Sequence, residues 1–161
     1  MRAIVSVDIE WGIGRDGRLA VRNREDMRRF RELTWGGTVV CGASTFATFP
    51  PGGLPGRRNV VLSSSSSLPG AEVARGVDEA LSLVSSDDPD RVWLVGGASV
   101  YRQMLGFCDE VLVTRNYASG GADAFFPNLD RSDAWVLRLA SPVFETDEGV
   151  PFRYLSYSRL A

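Results

Sequence analysis

Asp26 sits where its side-chain type and its surroundings disagree. It belongs to the stretch from Asn23 to Thr34, which reads as an amphipathic helix. At ~100° per residue, Asp26, Met27, Phe30, Leu33 and Thr34 fall on one face. Arg24, Glu25, Arg28, Arg29, Arg31 and Glu32 fall on the other, and these arginines read as a solvated helix face. A carboxylate on an apolar face is costly unless it is hydrogen-bonded or partly protonated. Burial would raise its pKa above the reference of ~3.9, the tuning expected of a general acid. The same residue has a plainer reading. Asn23 looks like an N-cap, and an acid three residues on can serve the cap and the helix dipole. The helix alone leaves both readings open.

Two strand–glycine–helix junctions follow. One is Val39-Val40-Cys41-Gly42-Ala43-Ser44-Thr45, and the other is Trp93-Leu94-Val95-Gly96-Gly97-Ala98-Ser99-Val100-Tyr101. Each puts backbone N–H groups and a helix N-terminus at the end of a buried strand, a place that suits phosphate. Neither is a GxGxxG fingerprint. Two in one chain suggest a ligand with more than one phosphate, such as a dinucleotide. Leu54-Pro55-Gly56-Arg57-Arg58-Asn59 is a turn delivering two arginines just before a strand. Arg57 could grip a carboxylate bidentately, or it could be a solvated charge.

Composition removes much other chemistry. The chain has 161 residues and no histidine, and its 18 basic residues are all arginine. Ser-His-Asp and Cys-His pairs, the P-loop lysine and lysine Schiff bases are therefore absent. Two cysteines, Cys41 and Cys108, cannot build a thiolate zinc site or a disulfide framework, so no metal is expected and a cytoplasmic setting is. A net charge of −2 predicts no attraction to nucleic acid or membrane. The opening MRAIVSVDIEWG has acids inside a short apolar run, so neither a signal peptide nor a membrane span is expected.

These groups need elements to hold them. Strands are expected at Arg2–Ile9, Thr38–Cys41, Asn59–Leu62, Arg91–Val95 and Glu110–Thr114. Helices are expected from Asn23 to Thr34, from Ser44, over Val77–Val84 and from Gly97 to Leu105. Trp11 to Gly17 reads as a glycine-rich loop and Ser63–Ser67 as a turn. Ala134–Ala140 and Phe152–Arg159 alternate and read as antiparallel strands. The expectation is a single α/β domain over 1–161. Its sheet is mostly parallel and twisted, with an antiparallel C-terminal edge and helices on both faces.

Taken in order, these pieces resemble the dihydrofolate reductase family over nearly the whole chain. Gly12-Ile13-Gly14 resembles that family's mobile active-site loop. Asp26 with Phe30 and Thr34 matches its acidic helix, and Leu54-Pro55-Gly56-Arg57 with Asn59 a specific family segment. Val95-Gly96-Gly97 with Val100-Tyr101 matches the cofactor-side motif. Thr114 stands where the family bonds a threonine to the acid, and Asp123 with Phe126-Pro127 matches a later loop.

The resemblance implies NADPH-dependent reduction of 7,8-dihydrofolate to tetrahydrofolate by a cytoplasmic monomer that antifolates would inhibit. It makes Asp26 and Thr114 the catalytic pair. Val5, Met27, Phe30, Phe49, Leu54 and Arg57 would contact substrate, with Arg57 on the glutamate α-carboxylate. Val5, Ser6, Ile13 and Tyr101 would flank the nicotinamide, with Gly14 and Leu19 also on the cofactor. Its phosphates would lie among Gly42, Ser44 and Thr45, and among Gly96, Gly97, Ala98 and Ser99, with Ala43, Val95 and Val100 also on the cofactor. Leu62, Ser63 and Ser64 would complete the cofactor side.

The chain departs from the family pattern at Val21, where a loop tryptophan is usual, and at Ala43 and Ser99, where basic residues commonly reach the 2′-phosphate. Neutral residues there should weaken the preference for NADPH over NADH. Two other readings are a reductase of another heterocycle on the same fold, such as a pyrimidine reductase of riboflavin synthesis, and a non-catalytic cofactor binder.

Overall fold

The computed structural model describes residues 1–161. In chain order it contains β1 (Arg2–Val7), β2 (Gly12–Arg15), β3 (Arg18–Leu19), α1 (Arg24–Thr34), β4 (Thr38–Gly42), α2 (Ala43–Phe46), β5 (Arg58–Leu62), β6 (Glu72–Ala74) and α3 (Val77–Leu83). It continues with β7 (Val92–Gly96), α4 (Ala98–Met104), β8 (Glu110–Asn116), β9 (Ala124–Phe125), β10 (Trp135–Ala140), β11 (Phe144–Glu145) and β12 (Pro151–Arg159). The chain divides into two compact units. One comprises Met1–Ala3 with Glu32–Cys108, the other Ile4–Arg31 with Asp109–Ala161.

In the first unit the pairs β1–β7, β7–β4, β4–β5 and β5–β6 are all parallel. Their residues are β-branched or large and apolar. Val39, Val40, Val60, Val61 and Leu94 have no exposed surface, as a strand covered on both faces requires. Helix α2 packs on β4 and β5, α3 on β5 and β6, and α4 on β7 and β4. The register sets Cys41 opposite Gly96 and Gly42 opposite Leu62, so β7, β4 and β5 end side by side.

In the second unit the strand order is β10-β12-β8-β1. The β10–β12 and β12–β8 pairs are antiparallel, and β11 adds to β12. A small sheet, β3-β2-β9, stands apart. The expected α/β class with an antiparallel C-terminal edge is what the structure has. Strands β2, β3, β6, β9 and β11 are additional. Each is two to four residues long, too short to show alternation in sequence. Strand β2 lies inside the stretch expected to be a glycine-rich loop. No helix is long and apolar enough to cross a membrane.

Candidate active site

Helix α1 begins as expected. Asn23 Oδ1 accepts the Asp26 backbone N–H at 3.1 Å, which is N-cap geometry. The cap is therefore Asn23's task, and the Asp26 carboxyl is engaged elsewhere. One of its oxygens accepts the Thr114 hydroxyl from β8, and the Ser6 hydroxyl of β1 is near enough to favour the charged form. Burial dominates its electrostatics and raises its pKa above the ordinary carboxylate range. The Thr114 bond, the Arg29 charge and the Ser6 bond oppose that rise in decreasing order. The result is a carboxyl that holds its proton to a higher pH than usual and points in a fixed direction.

Arg29 is not the solvated charge expected of that helix face. It is half-buried, its guanidinium carbon lies 4.0 Å from the centre of the Tyr154 ring, and its buried Nη1 has no hydrogen-bond partner. Tyr154 stands opposite Thr114 in the β12–β8 register, so the two side chains share a sheet face. That contact draws the cation inward. The opposite side of the helix is more open than its apolar residues suggest, with Met27 54% exposed and Leu33 38% exposed, while Thr34 is fully buried.

The loop before α1 is braced by two aspartates. The buried Asp8 carboxylate accepts the backbone N–H groups of Glu10, Gly12 and Gly120 at 2.8, 2.7 and 2.9 Å. Asp123 accepts the Asp16 amide at 2.9 Å and donates its own to Gly14 at 2.8 Å. A Cβ at Gly12 would fall 2.3 Å from Ala122 Cβ, so only glycine fits there. Val5, Ser6, Ile13, Gly14, Leu19, Asp26, Met27, Phe30 and Thr114 all belong to this second unit. Asp8 was not singled out in the sequence. An acid that ends an apolar strand three residues before a tryptophan-glycine pair gives no motif of its own.

The first unit holds Phe49, Leu54, Arg57 and the glycine junctions. Asn59 builds the arginine turn. Its amide oxygen accepts Leu54 N–H at 3.0 Å, and its nitrogen donates to the carbonyls of Leu54 and Arg57 at 3.1 and 3.0 Å. Gly56 has φ +74 and lies against Trp35, where a Cβ would fall 2.4 Å from the ring. Arg57 then lies 5.3 Å from the centre of the Trp35 ring, and donates to Pro55 O at 2.9 Å and Thr34 Oγ1 at 3.2 Å. These contacts fix the guanidinium plane.

At the glycine junctions, Gly42 and Gly97 are the N-caps of α2 and α4, and no side chain caps either helix. A Cβ at Gly97 would lie 3.2 Å from Thr45 Oγ1, and one at Gly42 would lie 3.0 Å from Val100 Cγ2. Gly96 has φ +122 and precedes a cis peptide bond to Gly97. Val100 and Tyr101 are buried beneath these glycines, while Ala43, Ser44 and Ser99 are exposed. Two uncapped helix starts follow adjacent strand ends, an arrangement that suits a pyrophosphate, and Ser63 and Ser64 follow the end of the neighbouring β5. The residues present fit a dinucleotide.

An oriented acid held by a threonine, and two uncapped helix starts at neighbouring strand ends, are parts that a dinucleotide-dependent enzyme would use. The comparisons narrow this. A family model described as dihydrofolate reductase matches residues 1–159. The chain is 35% identical over 154 residues to the dihydrofolate reductase of Mycobacterium leprae (strain TN), covering 91% of this chain and 90% of that one. It is 36% identical over 154 residues to that of Mycobacterium tuberculosis (strain ATCC 25618 / H37Rv), with the same coverage. The structure of the Enterococcus faecalis dihydrofolate reductase complexed with NADP(H) and RAB-propyl superposes with a TM-score of 0.86 at 27% identity, over 99% of this chain and 96% of that one. The chain belongs to the dihydrofolate reductase family, and it is an oxidoreductase.

Proposed function

We propose that this protein reduces 7,8-dihydrofolate to tetrahydrofolate with NADPH, acting as a single dihydrofolate reductase-like domain and a monomer. The observation that carries the reading is the Asp26 carboxyl, raised in pKa by burial and held by Thr114. Asp26 binds the pterin 2-amino group and N3 and promotes protonation at N5. Thr114 keeps the carboxyl in the orientation that proton needs. When bound, the cofactor supplies hydride from C4 of its nicotinamide.

The residues proposed to contact the apolar part of the substrate are Val5, Met27 and Phe30 in one unit and Phe49 and Leu54 in the other. Arg57 holds the α-carboxylate of the glutamate tail. Gly42, Ser44, Thr45 and Gly96 through Ser99 hold the cofactor phosphates through backbone N–H groups and hydroxyls. Antifolates that mimic a protonated pterin pair with the same acid.

The test follows nicotinamide absorbance with dihydrofolate, using NADPH and NADH in parallel. Oxidation dependent on dihydrofolate is expected. No oxidation with either cofactor at high enzyme concentration would overturn the reading.

A further inference from the structure

We propose that Asn23, Asn116 and Ser6 close a ring of hydrogen bonds that begins at the backbone N–H of Asp26 and ends at its own carboxyl, and that all three are positioning residues for that acid. The inference rests on the role given to Asp26 above. The links are short and consecutive. Asp26 N–H donates to Asn23 Oδ1 at 3.1 Å. Asn23 Nδ2 donates to Asn116 Oδ1 at 2.9 Å. Asn116 Nδ2 donates to Ser6 Oγ at 3.0 Å and to the Val7 carbonyl at 2.9 Å. The Ser6 hydroxyl stands close enough to the Asp26 carboxyl to favour its charged form, and the proposed ring closes there.

Backbone partners dictate the direction of each bond. Asn23 must present oxygen to an N–H, so its nitrogen is the donor toward Asn116. Asn116 must present nitrogen to the Val7 carbonyl, so its oxygen faces Asn23. Ser6 receives an N–H from Asn116, which leaves its single hydroxyl proton for the carboxylate. No amide or hydroxyl can turn without losing a buried bond. Asn23 is 1% exposed and Asn116 is fully buried, so each lost bond would go uncompensated.

The ring thereby couples the carboxyl's orientation to the start of its own helix. It also gives Ser6, expected on the cofactor, a second task. The other charged or titratable groups acting on the acid are Arg29 on α1 and Tyr154 on β12, with the Thr114 hydroxyl on β8.

A cap and two strand staples would be a purely structural role, and the test separates the two. Asn23→Ser keeps a capping oxygen but cannot reach Asn116. Ser6→Ala removes the final donor and the acceptor of one Asn116 N–H, and Ser6→Thr restores both. Two readouts are followed in each variant. One is the pH titration of the ¹³C-labelled Asp26 carboxyl in the ligand-free protein, and the other is the pH dependence of single-turnover hydride transfer with deuterated cofactor.

Ser6→Ala and Asn23→Ser should both titrate at higher pH than wild type, with a lower acid plateau and an alkaline limb raised by up to about tenfold. Ser6→Thr should restore the wild-type Asp26 titration in the ligand-free protein. An unchanged Asp26 titration in Ser6→Ala, or in a folded Asn23→Ser, would overturn the proposal even if thermal stability fell. Ser6→Ala leaves the cap intact and leaves Asn116 its bonds to Asn23 and to the Val7 carbonyl, so it decides the matter if Asn23→Ser does not fold. The carboxyl titration needs no turnover. A wild-type protein inactive on dihydrofolate would therefore refute the proposed function without altering this result.

Discussion

The Thr114 hydroxyl on β8 donates to the Asp26 carboxyl on α1, across 88 residues of sequence. The bond favours the charged carboxylate, whereas burial favours the neutral acid, and burial is the larger influence. The acid therefore keeps both properties its proposed task needs: a proton retained to higher pH than an ordinary carboxyl retains it, and a fixed direction for it.

Arg29 is the cation that restrains this rise. Replacing it with glutamine, which keeps much of the packing on Tyr154, should raise the Asp26 pKa further. The alkaline limb of the hydride-transfer profile should move to higher pH. Single-turnover rates across pH test this, and a limb displaced to lower pH would contradict it.

The raised pKa also has a sign for stability. A carboxyl whose folded pKa exceeds its unfolded one contributes its full stability only below the unfolded value of ~3.9, and loses it as pH rises through the folded pKa. At neutral pH the native state thus carries the cost of a buried charge. Asp26→Asn should melt several degrees above wild type at neutral pH, and the difference should vanish in acid. Calorimetry at the two extremes measures it.

How much of this was legible in the sequence differs by residue. The apolar runs of β4, β5 and β7 announce themselves, and so do Asn23 as a cap and Asp26 as a misplaced charge. Arg29 does not, because helical geometry puts it among solvated arginines, and only Tyr154, 125 positions later, draws it inward. Asn116 is equally silent, and Ser6 shows in the sequence only the cofactor role that the family resemblance implies. A polar residue in a strand has no meaning until its neighbour across the sheet is known. Short strands such as β9 arise from pairing with β2 rather than from their own residues.

Arg57 is oriented by Trp35, Pro55 and Thr34. Arg57→Leu should lose about a hundredfold in kcat/KM for dihydrofolate, mostly through KM, since a charge-assisted bidentate pair is lost. A pterin without the glutamate tail should be reduced equally by both proteins. Steady-state kinetics on the two substrates makes the comparison.

Ala43 is exposed at the start of α2, and Ser99 is exposed on α4. With neutral groups at both places, discrimination between NADPH and NADH should be weak. Ala43→Arg should raise the NADPH preference by about tenfold, as one new charge-assisted bond to the 2′-phosphate would do. The ratio of kcat/KM for the two cofactors reports it.

The central claim, that Asp26 is the acid, is tested most directly by the pH dependence of hydride transfer in Asp26→Asn beside wild type. The account expects a loss of about 10²–10⁴-fold at neutral pH that shrinks in acid, where dihydrofolate arrives already protonated. An unchanged rate at neutral pH would contradict it.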